Sequence, residues 1–268
     1  FDIKHNEFAI MKLAANLNFL FTEGNKSIAE KIRLAHKAGF RAVEIPFPNA
    51  EQDDVLQAKL DTGIQICLIN IALGDSKFGS ASVPGAGENF KSQLQETVNF
   101  AKKVNCKKIH IMAGLIEADE KEHLTTYKSN LKYAAPILAA AGIVGVIEPI
   151  NKYSLPNYFM NSFQTAYNVI SEVNSKQIRL MIDIFHLQHI MGNVTNAFAD
   201  FKDIIGHIQI AQAPHRHEPD VAGELDFSYV FGVIKSSGYS DWIGCEYKPK
   251  TNTLDGLKWI EKYPIVHL

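Results

Sequence analysis

The sequence predicts one α/β domain, a single (β/α)8 barrel, and three observations carry that expectation. Short apolar runs alternate with longer segments of helical periodicity along the whole chain. Glycine closes one helical segment after another, at Gly39, Gly63, Gly142 and Gly238. The chain has 268 residues, a length that eight strand–helix units fill as one domain.

The strand candidates are residues 13–17, 42–45, 64–71, 108–112, 144–148, 178–183, 207–211 and 242–246. Helical periodicity covers 27–38, 53–61, 89–104, 123–141, 162–173, 227–236 and 254–262, with a weaker stretch near 194–203. In the first of these, Ile28, Ile32 and Ala35 recur at helical spacing and so share one face. The order helix, glycine, short link, strand is explicit in Ala38-Gly39-Phe40-Arg41-Ala42-Val43 and again from Ser237 to Trp242. Strict alternation implies parallel strands joined by right-handed crossovers. An open doubly wound sheet is the alternative. It would more often carry a glycine-rich phosphate loop after its first strand, and Asn16-Leu17-Asn18-Phe19-Leu20-Phe21 offers none. Residues 1–11 read as an appended leader or disordered tail, which leaves 12–268 as the barrel domain.

Composition narrows the function classes. Net charge is −2 and no basic block occurs, which disfavours nucleic acid as a partner. The uncharged stretch 134–147 is too short to span a bilayer and is broken by Pro136, Gly142 and Gly145, so no membrane role is expected. Cys67, Cys106 and Cys245 are odd in number, lack CxxC spacing and fall in or beside apolar runs. They read as buried thiols in a reducing compartment, and a cytoplasmic location is expected. A homo-oligomer is compatible with all of this.

Chemistry in such a barrel collects at the C-terminal ends of the strands. Four consecutive strand candidates carry a carboxylate or amide there: Glu148, Asp183, Gln209 and Glu246, each about one βα unit after the last. Side chains two apart share a face of a strand, so if Cys245 packs under the helices, Glu246 points into the mouth. The same alternation turns Asp183 inward and Ile182 outward. One acidic residue at a strand end is ordinarily a cap or an ion-pair partner. Burying three carboxylates together without a cation is very costly, so a cation is expected among them. The donors are all oxygen, which suits Mg²⁺ or Mn²⁺ better than zinc. Gln209 is the weakest member, since an amide serves equally as a substrate hydrogen-bonder. Gln212 is a neighbour that alternation places off the Gln209 face. Further polar candidates near the same mouth are His186, His189, Asn70, His110, Lys248 and the string His215-Arg216-His217-Glu218-Pro219-Asp220. Arg216 is either a bidentate clamp for a carboxylate or a loop partner of Glu218 or Asp220.

The strings Ala14-Ala15-Asn16-Leu17, Phe21-Thr22-Glu23, Ala38-Gly39-Phe40, Ala42-Val43-Glu44, His110-Ile111-Met112-Ala113-Gly114, Arg216-His217-Glu218-Pro219-Asp220 and Trp242-Ile243-Gly244-Cys245-Glu246-Tyr247-Lys248-Pro249 resemble the hydroxypyruvate isomerase family. That family belongs to the xylose-isomerase-like barrels, and the resemblance runs from about residue 12 to residue 259. It implies a TIM barrel with one divalent cation, Mg²⁺ or Mn²⁺. Glu148, Asp183, Gln209 and Glu246 match the family's metal ligands, and Glu148 and Glu246 its proton donor and acceptor. His186 matches the histidine that follows the metal-binding aspartate, and Arg216 the substrate-side arginine. Lys248, Asn70 and His110 join them as candidate substrate contacts. The implied reaction interconverts hydroxypyruvate and tartronate semialdehyde through an enediolate. Segment 74–87 departs from bacterial members, and it is placed to bear on substrate choice. The alternatives are a 2-oxo-tetronate isomerase, a sugar epimerase, a non-catalytic metal- or sugar-acid-binding protein, and a zinc-dependent abasic-site endonuclease. The last would need a histidine-rich ligand set and a basic face.

Overall fold

The computed structural model describes residues 10–268; of the expected leader or tail at 1–11, residues 1–9 lie outside the described residues. Met11 corrects the expected domain start at 12. It opens β1 (Met11–Asn16), is buried, and pairs in parallel with Val266 of the short β9 (Val266–His267). The ring continues through β2 (Ala42–Ile45), β3 (Gln65–Asn70), β4 (Lys108–His110), β5 (Val144–Ile147), β6 (Ile178–Asp183), β7 (Ile205–Ile210) and β8 (Ile243–Cys245). Neighbours pair in parallel in that order. β8 returns to β1, and β1 pairs with β2, which closes the eight-stranded barrel.

The helices are α1 (Ile28–Lys37), α2 (Gln52–Thr62), α3 (Gly87–Lys103), α4 (Glu120–Ala141), α5 (Phe163–Val173), α6 (Ile184–Ile190), α7 (Val194–Phe201), α8 (Phe227–Ser236) and α9 (Thr253–Gly256). Their starts are encoded locally. Ser27 and Glu30 form a reciprocal capping box on α1, and Asp119, Ser162 and Asp226 cap α4, α5 and α8. Gly63 and Gly142 end α2 and α4 in the left-handed conformation that glycine adopts without strain. The segment at 254–262 is a short α-helix followed by a 3-10 turn rather than one helix. The weak stretch near 194–203 is α7 and a 3-10 turn. The additional helix, α6, follows β6 directly and carries His186 and His189. No described helix is long and apolar enough to cross a membrane.

The main apolar core lies between the sheet and the helices. The barrel interior is different. Its apolar contents are two small clusters, Ala14 with Ala42 and Cys67, and Leu68 with Val146 and Met181. Buried polar side chains lie with them, among them Asn16, Glu44, Lys108, His207 and Gln209. The usual filling of such a barrel is branched apolar residues. A largely polar interior must therefore satisfy its own hydrogen bonds.

Candidate active site at the barrel mouth

The register of β6, β7 and β8 sets Asp183 level with Gln209, and Gln209 level with Gly244. Glu148 and Glu246 lie one residue past the ends of β5 and β8. The four side chains expected from alternation therefore reach the same C-terminal mouth. Asp183, Glu148 and Gln209 are buried, and the Glu246 side chain is 13% exposed.

Asp183 serves two elements at once. Its Oδ1 accepts the Phe185 amide at 2.9 Å and so caps α6, which leaves Oδ2 for the mouth. Glu148 Oε2 lies 3.6 Å from His110 Nε2, and its Oε1 lies 3.9 Å from His186 Nε2. Glu148 Oε1, His110 Nε2 and Gln209 Oε1 are all buried without a hydrogen-bond partner. Such atoms are rare in folded proteins, and here they belong to one cluster. Oxygen atoms of Glu148 and Asp183, with a ring nitrogen of His186, lie within 4.8 Å of one another.

Electrostatics follow from this crowding. Burial, then the neighbouring Glu246 and Asp183, holds the Glu148 carboxyl well above the usual carboxylate range. Burial also raises Asp183, against the opposing pull of Arg216. Glu246 is pushed up to about 8 by burial, again against Arg216. Burial drives His110 down to about 3 and His186 well below its ordinary value, so both rings are neutral. A divalent cation would relieve the carboxylates by favouring their ionised forms.

Both ring nitrogens of His186 face hydrogen-bond donors. Its Nδ1 accepts both the Asn151 backbone amide at 3.2 Å and the Asn151 side-chain amide at 2.7 Å. Asn151 Oδ1 is already used by the Tyr153 and Ser154 amides, which fixes that side chain's orientation. His186 Nε2 lies 3.3 Å from Arg216 Nη1, a group that only donates. The oxygens of Glu148, Asp183, Gln209 and Glu246 fit a hard divalent ion, and the His186 ring stands beside two of them.

Arg216 enters from the β7–α8 connection. Its Nη2 donates to Asp183 Oδ2 at 2.9 Å and to Glu246 Oε2, and its Nε donates to the Glu246 carbonyl at 3.1 Å. Phe19 and Phe185 flank the guanidinium, 4.6 and 4.8 Å from its carbon. Burial opposes the charge of Arg216, yet Glu246, Asp183 and Glu148 together raise its pKa further. The alternative loop pairing is not adopted: Asp220 pairs with Lys262, and Glu218 accepts the Lys250 amide.

The remaining candidates separate. Asn70 is half-buried on β3, level with His110 across the β3–β4 pair. The Lys248 side chain is exposed, and its backbone holds the Arg216 loop through an amide donated to the Arg216 carbonyl at 2.7 Å. His189 bonds the Phe185 carbonyl and stands outside the cluster. Gln212 is a loop pin, donating to the carbonyls of Pro219, Val221 and Leu225.

Sequence reasoning missed Asn16, Glu44, Lys108 and His207. Glu44 Oε2 accepts from Asn16 at 2.8 Å and from Gln209 at 2.7 Å, while its Oε1 faces His207 Nε2 at 2.5 Å. Asn16 Nδ2 also reaches Glu246 Oε1 at 3.1 Å. The signal was available: alternation puts His207 on the face of Gln209, and Glu44 is a lone charge inside an apolar strand.

Residues 32–263 match the xylose isomerase-like TIM barrel family. A Drosophila melanogaster protein provisionally named hydroxypyruvate isomerase is 53% identical, over 94% of this chain and 97% of its own. The 2-oxo-tetronate isomerase of Cupriavidus necator is 38% identical over 94% and 98% of the two chains. The crystal structure of a family 2 AP endonuclease from Brucella melitensis superposes with a TM-score of 0.89 at 34% identity, covering 95% and 99%.

Proposed function

This chain belongs to the hydroxypyruvate isomerases of the xylose isomerase-like TIM barrel family, and on that premise we propose that it interconverts hydroxypyruvate and 2-hydroxy-3-oxopropanoate. The observation that carries the reading is the convergence of Glu148, Asp183, Gln209 and Glu246 around buried, unpartnered oxygen atoms beside Arg216.

The reaction breaks a C–H bond at C3 and forms one at C2, while the hydroxyl proton on O3 passes to O2. Removing the carbon-bound proton leaves an enediolate whose negative charge must be stabilised. Glu148, Asp183, Gln209 and Glu246 would hold one divalent cation, Mg²⁺ or Mn²⁺, which when bound supplies Lewis-acid stabilisation of that charge. Glu148 and Glu246 come from β5 and β8, on different sides of the mouth. One takes the proton from carbon and the other returns a proton, with the roles exchanged in the reverse direction. His186, between Glu148 and Arg216, contacts the substrate. Arg216, held between two aromatic rings, pairs with the substrate carboxylate, and Asn70 and His110 line the opposite wall. Lys248 contributes through the loop that it latches. The barrel acts on this small acid in the cytoplasm, where buried free cysteines stay reduced.

The four-carbon 2-oxo acid is the second substrate reading, favoured by the Cupriavidus necator relative. An endonuclease is disfavoured by the oxygen donor set and the net charge of −2. The test is proton NMR of hydroxypyruvate in D₂O with Mn²⁺-loaded protein and an EDTA control. Cation-dependent product formation with deuterium on carbon is expected. Turnover of only the four-carbon acid changes the substrate, and no exchange with either acid overturns the isomerase reading.

A further inference from the structure

A hydrogen-bonded column runs along the barrel axis from its N-terminal face to the mouth. At the lower end Asp241 pairs with Lys108 Nζ at 2.8 Å. Lys108 Nζ meets His207 Nδ1 at 3.0 Å, His207 Nε2 meets Glu44 Oε1, and Glu44 Oε2 receives Gln209 and Asn16. Lys108, His207 and Glu44 are all buried, and burying them carries a substantial desolvation cost.

The direction of every bond is fixed. Lys108 has only donors, so His207 Nδ1 accepts and His207 Nε2 carries the proton. That proton goes to Glu44 Oε1. Gln209 Nε2 donates to Glu44 Oε2 at 2.7 Å, which turns its NH₂ toward Glu44 and leaves its oxygen, buried and unpartnered, for the mouth. Asn16 is fixed independently, because its Oδ1 accepts the Asn18 amide at 3.0 Å. Its NH₂ is thereby aimed at both Glu44 and Glu246. Gly244 makes the arrangement fit: a Cβ there would lie 2.0 Å from Glu44 Oε1.

We propose that Glu44 is a positioning residue that, oriented by His207 and Lys108, forces the Gln209 amide to present oxygen rather than nitrogen to the cation. The proposal rests on the reading of the mouth as a cation site and adds the device that selects the ligand atom. A glutamine side chain is nearly symmetric in shape, so packing alone does not distinguish its two orientations. An acceptor-only neighbour does.

Glu44→Gln tests it. His207 Nε2–H would draw the new amide's oxygen, so the new NH₂ would face Gln209. Gln209 would then flip and offer its own NH₂ to the cation. Mn²⁺ affinity by calorimetry is expected to fall roughly 10- to 100-fold, with a changed EPR spectrum of the bound ion and a retained cooperative melt. Gln209→Glu supplies oxygen in either orientation. The double variant Glu44→Gln/Gln209→Glu is therefore expected to return to within about threefold of wild type, a coupling that two independent losses would not give. Wild-type affinity in Glu44→Gln overturns the proposal alone, as does a double variant no better than the single one. Wild-type protein that binds no Mn²⁺ overturns the cation-site reading and the proposal with it.

Discussion

Arg216 Nη2 donates to Asp183 Oδ2 at 2.9 Å and bonds Glu246 through the same nitrogen, so one guanidinium shares two carboxylates assigned to the cation. Cation and guanidinium therefore draw on the same negative charge. Replacing Arg216 with Ala should tighten Mn²⁺ binding by about tenfold, since a charge-assisted hydrogen bond of 1.5–3 kcal/mol no longer competes. The same variant should raise KM for the acid at least about 100-fold through loss of the clamp. With EDTA it should melt earlier than wild type, because two buried carboxylates lose their partner, and Mn²⁺ should close most of that gap. Calorimetry, steady-state kinetics and thermal melts read the three effects. Weaker Mn²⁺ binding in Arg216→Ala would show that the arginine supports the cation instead.

The carboxylates also set a pH dependence of stability. Glu246 has a folded pKa near 8, above its ordinary 4.5, so its contribution is full below about 4.5 and is lost as pH rises through 8. Glu148 and Asp183 shift in the same direction. Buried His110 works oppositely: with its pKa near 3 against an ordinary 6.5, its contribution is present above 6.5 and lost as pH falls. Between pH 6.5 and 9 this histidine no longer contributes to the slope. The melting temperature in EDTA should therefore fall with rising pH across that window. Saturating Mn²⁺ should flatten the curve by stabilising the ionised carboxylates. A flat profile in EDTA, or an equal slope with Mn²⁺, contradicts the assigned burial of charge.

How much of this was legible in the sequence depends on the range of the causes. The strand–helix alternation, the glycine stops and the inward turn of Asp183 and Glu246 are local and were readable. Helix α6 was not, because it is short, starts without a break from β6 and takes its cap from Asp183, a residue already claimed by the mouth. The Glu44–His207 contact joins residues 163 apart in the chain. Only closure of the barrel brings that pair together, and it hid the role of the interior layer. The part played by Lys248 was legible only as proximity. Its backbone rather than its charge holds Arg216 in place.

The cysteines give a prediction independent of the mouth. All three are buried; burial raises Cys106 to about 12 and holds Cys67 and Cys245 well above their ordinary value. At pH 8 the Cys106 thiolate would then be about one part in ten thousand. Native protein should leave an aromatic disulfide reagent essentially unreacted over minutes, and three thiols should appear in guanidinium chloride. Rapid labelling of any thiol in the native state would place it outside the core.

The two glutamates at the mouth should fail in different ways when each is made an amide. Glu246 receives Asn16 and Arg216 as hydrogen-bond donors, while Glu148 Oε1 receives none. Glutamine keeps an oxygen for the cation but neither takes nor gives a proton at that atom. If one glutamate removes the C3 proton and the other serves C2, the variant lacking the first should show neither deuterium exchange nor product. The variant lacking the second should still exchange the C3 hydrogens of hydroxypyruvate with D₂O while product formation falls by about 10²–10⁴. Run from 2-hydroxy-3-oxopropanoate, the two variants should trade these phenotypes, because the proton then leaves C2. Proton NMR on both variants in both directions reads exchange and turnover separately, and Mn²⁺ calorimetry verifies that each still binds the cation. Near-normal turnover by either cation-loaded variant removes that glutamate from the proton transfer. Loss of exchange in both directions with both variants would instead assign the pair to holding the cation, and the base would have to be sought among the other side chains of the mouth.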